Sequence, residues 1–170
     1  INATFAPGWT GIIGANGAGK TTLLQLASGI LNPTQGTIHI PDNVIFCSQR
    51  TDSAPIELES FINAYDKEAC RLRGYLDISD EWLDRWNTLS HGERKRVQIA
   101  VAMWKNPQVL AVDEATNHLD RNAKIILVEL LNSFRGTGFI VSHDRELLDK
   151  LCRNCIYVEP PEIKIYKGGY

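Results

Sequence analysis

The segment Gly14-Ala15-Asn16-Gly17-Ala18-Gly19-Lys20-Thr21 constrains this chain more than any other. Its pattern, Gly-x-x-x-x-Gly-Lys-Thr, is that of a phosphate-binding loop. The residue types follow from the chemistry. An oligophosphate needs many donors at close range, and glycines let the backbone turn tightly enough to aim successive N–H groups inward. Lys20 adds a point charge for the outer phosphates, and the hydroxyl of Thr21 suits Mg²⁺. The flanks agree. Apolar Trp9–Ile13 predicts a strand entering the loop. Thr21–Ile30 predicts a helix leaving it, with its positive dipole end toward the phosphates. The candidate binding residues are Gly14, Asn16, Gly17, Ala18, Gly19, Lys20, Thr21 and Thr22.

The rest of the chain extends that unit. Strand-like runs recur at Thr37–Ile40, Val44–Cys47, Val109–Val112, Gly138–Val141, Cys155–Val158 and Ile163–Tyr166, with helix-like stretches between several of them. This alternation predicts an α/β fold with a mainly parallel sheet flanked by helices. Gln35-Gly36 and Pro41-Asp42 mark turns around Thr37–Ile40. After Pro55 the character changes. Residues 57–87 read as consecutive short helices containing Phe61, Tyr65, Leu72, Leu76, Trp82 and Trp86, which predicts a small helical lobe set on the sheet. In the helix expected over Gly92–Lys105, Val97, Ala100, Val101 and Trp104 fall at i, i+3, i+4, i+7 and predict one buried face. The charge run Glu93–Arg96 lies on the other faces, with Gln98, and reads as solvated helix surface. Asn106-Pro107 ends this helix. The expected organisation is one domain over residues 1–170, with a helical subdomain at about 56–105.

Composition narrows the function. At 170 residues and 44% hydrophobic, the chain can bury a sizeable core. Its net charge of −2, without a run of Lys or Arg, gives no direct nucleic-acid signal and argues against a grip on anionic lipid. There is no apolar stretch long enough to form a membrane-spanning helix. The chain starts on Ile1, which leads us to expect a trimmed protein or a piece of a longer one. Cys47, Cys70, Cys152 and Cys155 read as free thiols in a reducing compartment. Cys152-x-x-Cys155 has redox or zinc spacing, but no second pair accompanies it.

The second chemical element is Val109-Leu110-Ala111-Val112-Asp113-Glu114. An apolar run buried on both faces ends in two carboxylates. Ligands of open α/β sheets bind outside the carboxyl ends of the strands. Asp113 is therefore placed to hold Mg²⁺, directly or through water. Glu114 can reach a water attacking a γ-phosphate.

The third element is Leu89-Ser90-His91-Gly92-Glu93. With the phosphate loop before it and Asp113-Glu114 after it, the chain resembles the ATP-binding cassette (ABC) ATPases, whose signature is Leu-Ser-Gly-Gly followed by Gln or Glu. The resemblance covers about Ile1 to Asp149. It implies ATP and Mg²⁺ as cofactors, ATP hydrolysis, and the P-loop fold of an ABC nucleotide-binding domain. It also implies that Ser90 and Gly92 contact nucleotide held by a second cassette. His91 departs from the family's glycine, and its side chain either points away from the nucleotide or touches it. Gln49 matches the glutamine that ligates metal and links the helical lobe to the site. Asp120 matches the loop that communicates across the dimer. His143, in Ser142-His143-Asp144, matches the switch histidine. The family's adenine-stacking aromatic lies well upstream of the loop. Phe5 and Trp9 sit too close to it, so the resemblance implies incomplete amino-terminal strands.

Asp113-Glu114-Ala115-Thr116-Asn117-His118-Leu119-Asp120 and Ser142–Asp149 resemble the F subfamily, as does Tyr166-Lys167-Gly168-Gly169-Tyr170. Those are cytoplasmic proteins with two cassettes in one chain, and many act on the ribosome. The expected partner is thus a second cassette, by homodimerisation or in tandem, with the ribosome as a further partner. A transporter ATPase docked on a membrane permease near Gln49 is the alternative. A non-catalytic, nucleotide-dependent dimerisation module comes third, and intact Glu114 and His143 argue against it.

Overall fold

The computed structural model describes residues 2–116 and 119–168. Asn117, His118, Gly169 and Tyr170, which belong to two of the runs above, lie outside the described residues. Strand β1 (Gly8–Gly14) sits inside a six-stranded sheet of order β2-β3-β4-β1-β5-β6. The others are β2 (Val44–Cys47), β3 (Val109–Asp113), β4 (Thr137–Val141), β5 (Cys152–Glu159) and β6 (Glu162–Lys167). All neighbours pair in parallel except β5 with β6. The sheet is therefore mainly parallel, as expected.

β3 is buried at every residue. Its alternate side chains feed two layers. Val109 and Ala111 pack with Leu24 of α1 (Lys20–Ala27), Phe139 and Val141. Leu110 and Val112 join the larger cluster, which includes residues of α4 (His91–Trp104), α5 (Arg121–Asn132) and α6 (Arg145–Leu151). Helices on both faces explain a strand that is apolar throughout rather than alternating. Between β2 and α4 come α2 (Leu58–Ile62), α3 (Lys67–Tyr75) and two 3₁₀ turns at Asp80–Trp82 and Trp86–Thr88. Phe61, Leu72, Leu76, Trp82 and Trp86 are buried there, whereas Tyr65 is exposed. Among the described residues no helix is long and apolar enough to cross a membrane.

Three expectations are corrected. Thr37–Ile40 forms no strand. It has β-type residues but no ladder partner among the described residues, and an isolated strand leaves its backbone groups to water. The helix expected over Thr21–Ile30 stops at Ala27. Gly29 takes φ 73°, its N–H donates to Leu26 O, and the N–H of Ile30 donates to Gln25 O. That is a Schellman end, and glycine makes its left-handed turn cheap.

The third correction is the charge run. Val97, Ala100 and Val101 are buried and Trp104 is half-buried, but Glu93–Arg96 is not solvated surface. Arg94 donates to the carbonyls of Trp86 and Asn87 and lies over the Trp86 ring. Arg96 donates to Leu76 O and lies over Trp82. Lys95 is 1% exposed. Short helices and 3₁₀ turns end in unpaired carbonyls; Arg94 and Arg96 satisfy these, while Lys95 takes main-chain oxygens at the ends of two strands. Helical periodicity cannot show that demand, because it comes from neighbouring segments.

Candidate nucleotide site

Four neighbouring strands end side by side, in the order β2, β3, β4, β1. At or just past their carboxyl ends stand Gln49, Asp113 with Glu114, His143, and Gly14. Main-chain pairing alone therefore gathers residues far apart in sequence.

The loop after β1 turns through Gly17 and Gly19, at φ 79° and 96°. A Cβ in that left-handed region is strained. Gly19 is also the N-cap of α1, without a side-chain cap. The first N–H groups of α1 have no intrahelical acceptor, which makes that end an anion site. Asn16 and Thr22 are exposed and Ala18 is half-buried. Lys20 donates from Nζ to the carbonyls of Gly14 and Ala15, both at 3.0 Å. Its ammonium thus folds back over the loop.

Thr21 Oγ1 donates to Asp113 Oδ2 at 2.9 Å, joining the phosphate loop to the end of β3 across 92 residues of chain. Glu114 follows with φ 51°, a strained conformation for a residue with a side chain. Its N–H donates to Val141 O at 3.0 Å, and its Oε1 lies 3.4 Å from His143 Nε2. Burial raises the proton affinity of Glu114 above the ordinary carboxylate range; Asp113 adds to this, against His143, Lys20 and Lys95. Among the described residues, the buried side-chain oxygens without a partner are Asp113 Oδ1 and Glu114 Oε2. Buried oxygens of this kind require a partner. A hydroxyl, a carboxylate and an amide oxygen are also the hard donors that Mg²⁺ takes. The residues present therefore fit the metal.

The family model described as ABC transporter matches residues 1–117. The chain belongs to this family. It is an ATPase cassette, most like those of the F subfamily. It is 32% identical to the ribosome protection protein VmlR of Bacillus subtilis over 171 residues, covering 100% of this chain and 30% of that protein. It is 32% identical to ABC transporter F family member 2 of Arabidopsis thaliana, covering 94% of this chain and 25% of that protein. The chain thus spans less than a third of either relative's length. In fold it matches the dimeric, post-hydrolysis ATP-binding cassette MJ0796 bound to ADP and Pi, with a TM-score of 0.80 and 22% identity, over 98% of this chain and 88% of that one.

The signature of the cassette opens α4. Ser90 is the exposed N-cap of α4, in a capping box: its Oγ accepts from Glu93 N–H, and Glu93 Oε2 accepts from Ser90 N–H. Gly92 is in the first turn. Asp120 is the exposed N-cap of α5, accepting from Ala123 N–H. Among the described residues no hydrogen bond joins Ser90, Gly92 or Asp120 to Gly14–Thr21. Gln49 is exposed. His91 turns back from the signature face: its Nδ1 lies 3.2 Å from Oγ1 of buried Thr51, just past Gln49. Thr51 and Lys95 were not singled out from the sequence. Thr51 gives no signal there, and Lys95 shows only as part of a polar stripe, His91, Lys95 and Gln98, at helical spacing.

Proposed function

We propose that this cassette hydrolyses MgATP in sites shared with a second cassette, and that the cycle closes and opens the pair within an F-type protein acting on the ribosome. The observation that carries the reading is the Thr21–Asp113 hydrogen bond, with the desolvated Glu114 carboxylate beside it. Residues 1–170 are taken as one cassette, with a helical subdomain at about 56–105. Gly14, Asn16, Gly17, Ala18, Gly19, Lys20, Thr21 and Thr22 receive the phosphates. Thr21, Asp113 and Gln49 would hold Mg²⁺. When bound, the ion neutralises charge on the phosphate oxygens. Glu114 takes the proton of the attacking water, and its raised proton affinity suits that task. His143, 3.4 Å from Glu114, orients it and meets the γ-phosphate. Ser90, Gly92 and Asp120 complete the partner's site.

A second cassette is supported by the dimeric state of MJ0796, and a ribosomal role by the name of VmlR. Free cysteines fit a reducing cytoplasm. A groove of about 500 Å³ along β2, lined by Phe46, Arg50, Ile56, Glu57 and Trp86, favours the second reading, a permease seated beside Gln49.

The test is Mg²⁺-dependent phosphate release across a wide range of protein concentration. A shared site requires specific activity to rise with concentration. Concentration-independent turnover would remove the second cassette from the chemistry. Ribosome co-sedimentation against capture of a permease in detergent separates the two biological readings.

A further inference from the structure

The β2–β3 ladder runs from Val44↔Val109 to Cys47↔Val112. The next residues along the two strands are Ser48 and Asp113, where the chains part toward Gln49 and Glu114. The ammonium of Lys95 sits at this point. Its Nζ donates to Ser48 O at 2.7 Å, to Asp113 O at 3.0 Å and to Gln98 Oε1 at 3.0 Å. Three acceptors use all three donors of an ammonium. One turn earlier on α4, His91 meets Thr51. The loop bearing Gln49 is therefore held by α4 on both sides, at Ser48 and at Thr51. The same helix begins with Ser90 and Gly92, the residues that face a second nucleotide.

We infer that Lys95 is a positioning residue. It fixes the backbone of Asp113 and of the Gln49 loop relative to each other, and so sets the metal-ligand pair of one site. Through α4 it ties that pair to the signature the cassette presents to the other site. The inference rests on the nucleotide reading proposed above. The argument is one of demand and placement. A buried lysine is costly unless fully hydrogen-bonded. A shorter apolar residue would fill this position of α4 if packing were the only requirement. The cation instead binds two main-chain oxygens, one belonging to a metal-ligand candidate and the other to the residue just before another. Groups that orient metal ligands from behind typically control metal affinity by about 10–100-fold.

The experiment measures binding of a non-hydrolysable ATP analogue by calorimetry, in EDTA and in Mg²⁺. The chains compared are the parent, Lys95→Met and Arg96→Met. Arg96 is the control: it also anchors α4, through Leu76 O and Trp82, but touches neither Ser48 nor Asp113. Thermal unfolding checks each fold. Lys95→Met is expected to bind the analogue in EDTA within about twofold of the parent and to lose about tenfold or more of the tightening Mg²⁺ gives. Arg96→Met should keep that tightening while unfolding at a lower temperature. Equal Mg²⁺ enhancement in Lys95→Met and the parent overturns the inference, as does equal loss in both variants. A parent that binds no analogue even in Mg²⁺ overturns the nucleotide reading itself.

A second measurement uses the unsubstituted chain and does not depend on the variant folding. Hydrogen exchange with Mg²⁺ and analogue added should slow at 48–51 and in the first turns of α4 together. Protection confined to 48–51 overturns the coupling to the signature helix.

Discussion

Glu114→Gln should slow phosphate release and stabilise the fold together, for one physical reason. Glu114 is 7% exposed, and its Oε2 has no partner. The sign of the pH effect follows from its raised pKa. Below the unfolded value, about 4.3, the carboxyl is protonated in both states and its environment costs nothing. As pH rises through the unfolded and then the folded pKa, the unfolded chain ionises more readily, and stability falls. The loss is complete above the folded pKa. An unsatisfied buried polar group costs about 1–3 kcal/mol, more when charged. Glutamine removes the charge but leaves an amide to satisfy, so a gain of about 1–2 kcal/mol is expected. For a domain of this size that raises Tm by about 2–8 °C. Proton acceptance is lost at the same time, and general-base catalysis typically contributes about 10²–10⁴-fold.

Two assays on one preparation decide this. Differential scanning calorimetry in EDTA at pH 8 and pH 5 should show the variant's advantage at pH 8 and a smaller one at pH 5. Phosphate release, measured at a protein concentration high enough for cassettes to pair, should fall by the stated factor. A variant that melts below the parent at pH 8 would refute the claim that burial, rather than His143, dominates the Glu114 environment. Unchanged turnover would remove Glu114 as the base.

Lys20→Met should weaken ATP-analogue binding by about 10–100-fold, the value of a charge-assisted hydrogen bond; unchanged affinity in a fluorescence titration would mean that Gly14–Thr21 is not the nucleotide site. Gly138→Ala should destabilise the fold by about 1–3 kcal/mol in urea denaturation, because a Cβ there runs into the Trp9 indole, which Leu131 O holds by a 2.8 Å hydrogen bond. Iodoacetamide at pH 8 should label exposed Cys70 and spare Cys47 and Cys152, whose thiols burial pushes up to about 11 and about 12; rapid native labelling at Cys152, found by mass spectrometry, would contradict that.

What the sequence made legible was whatever is written in local spacing. The phosphate loop, the apolar strand ending in Asp113-Glu114 and the signature opening a helix each need residue types at fixed separations, and each lies where the spacing put it. Thr37–Ile40 shows the limit on strands. Its β propensity is real, but a strand exists only with a partner, and pairing is not local. Lys95 shows the limit on helices. Periodicity assigns a residue to a face, but whether that face meets water or another segment depends on the rest of the fold. A charge inside a run of charges is read as surface, yet here the surrounding 3₁₀ turns and strand ends supply carbonyls to which these cations donate. For His91 the sequence leaves two directions open, because nothing in local spacing says what the side chain meets. The buried hydroxyl of Thr51, 40 residues earlier, decides it.

Helix caps sort the proposed binding residues further. α3, α5 and α6 are capped by the side chains of Asp66, Asp120 and Asp144. Each carboxylate already supplies negative charge to its helix's positive end, so a phosphate arriving there would meet like charge. α1 and α4 begin at Gly19 and Ser90, which are neutral. Gly19 offers no side chain at all, so the N–H groups of α1 are left for an anion, as a phosphate loop requires. Ser90 is intermediate. Its oxygen accepts from Glu93 N–H, and its hydroxyl is engaged by the Glu93 carboxylate, which also offsets part of the dipole in the same turn. The two candidate phosphate contacts are therefore unequal: α1 carries the main electrostatic attraction, and α4 offers a weaker, partly neutralised end. Asp120 fits neither role. Its carboxylate accepts from Ala123 N–H and would meet a phosphate as like charge.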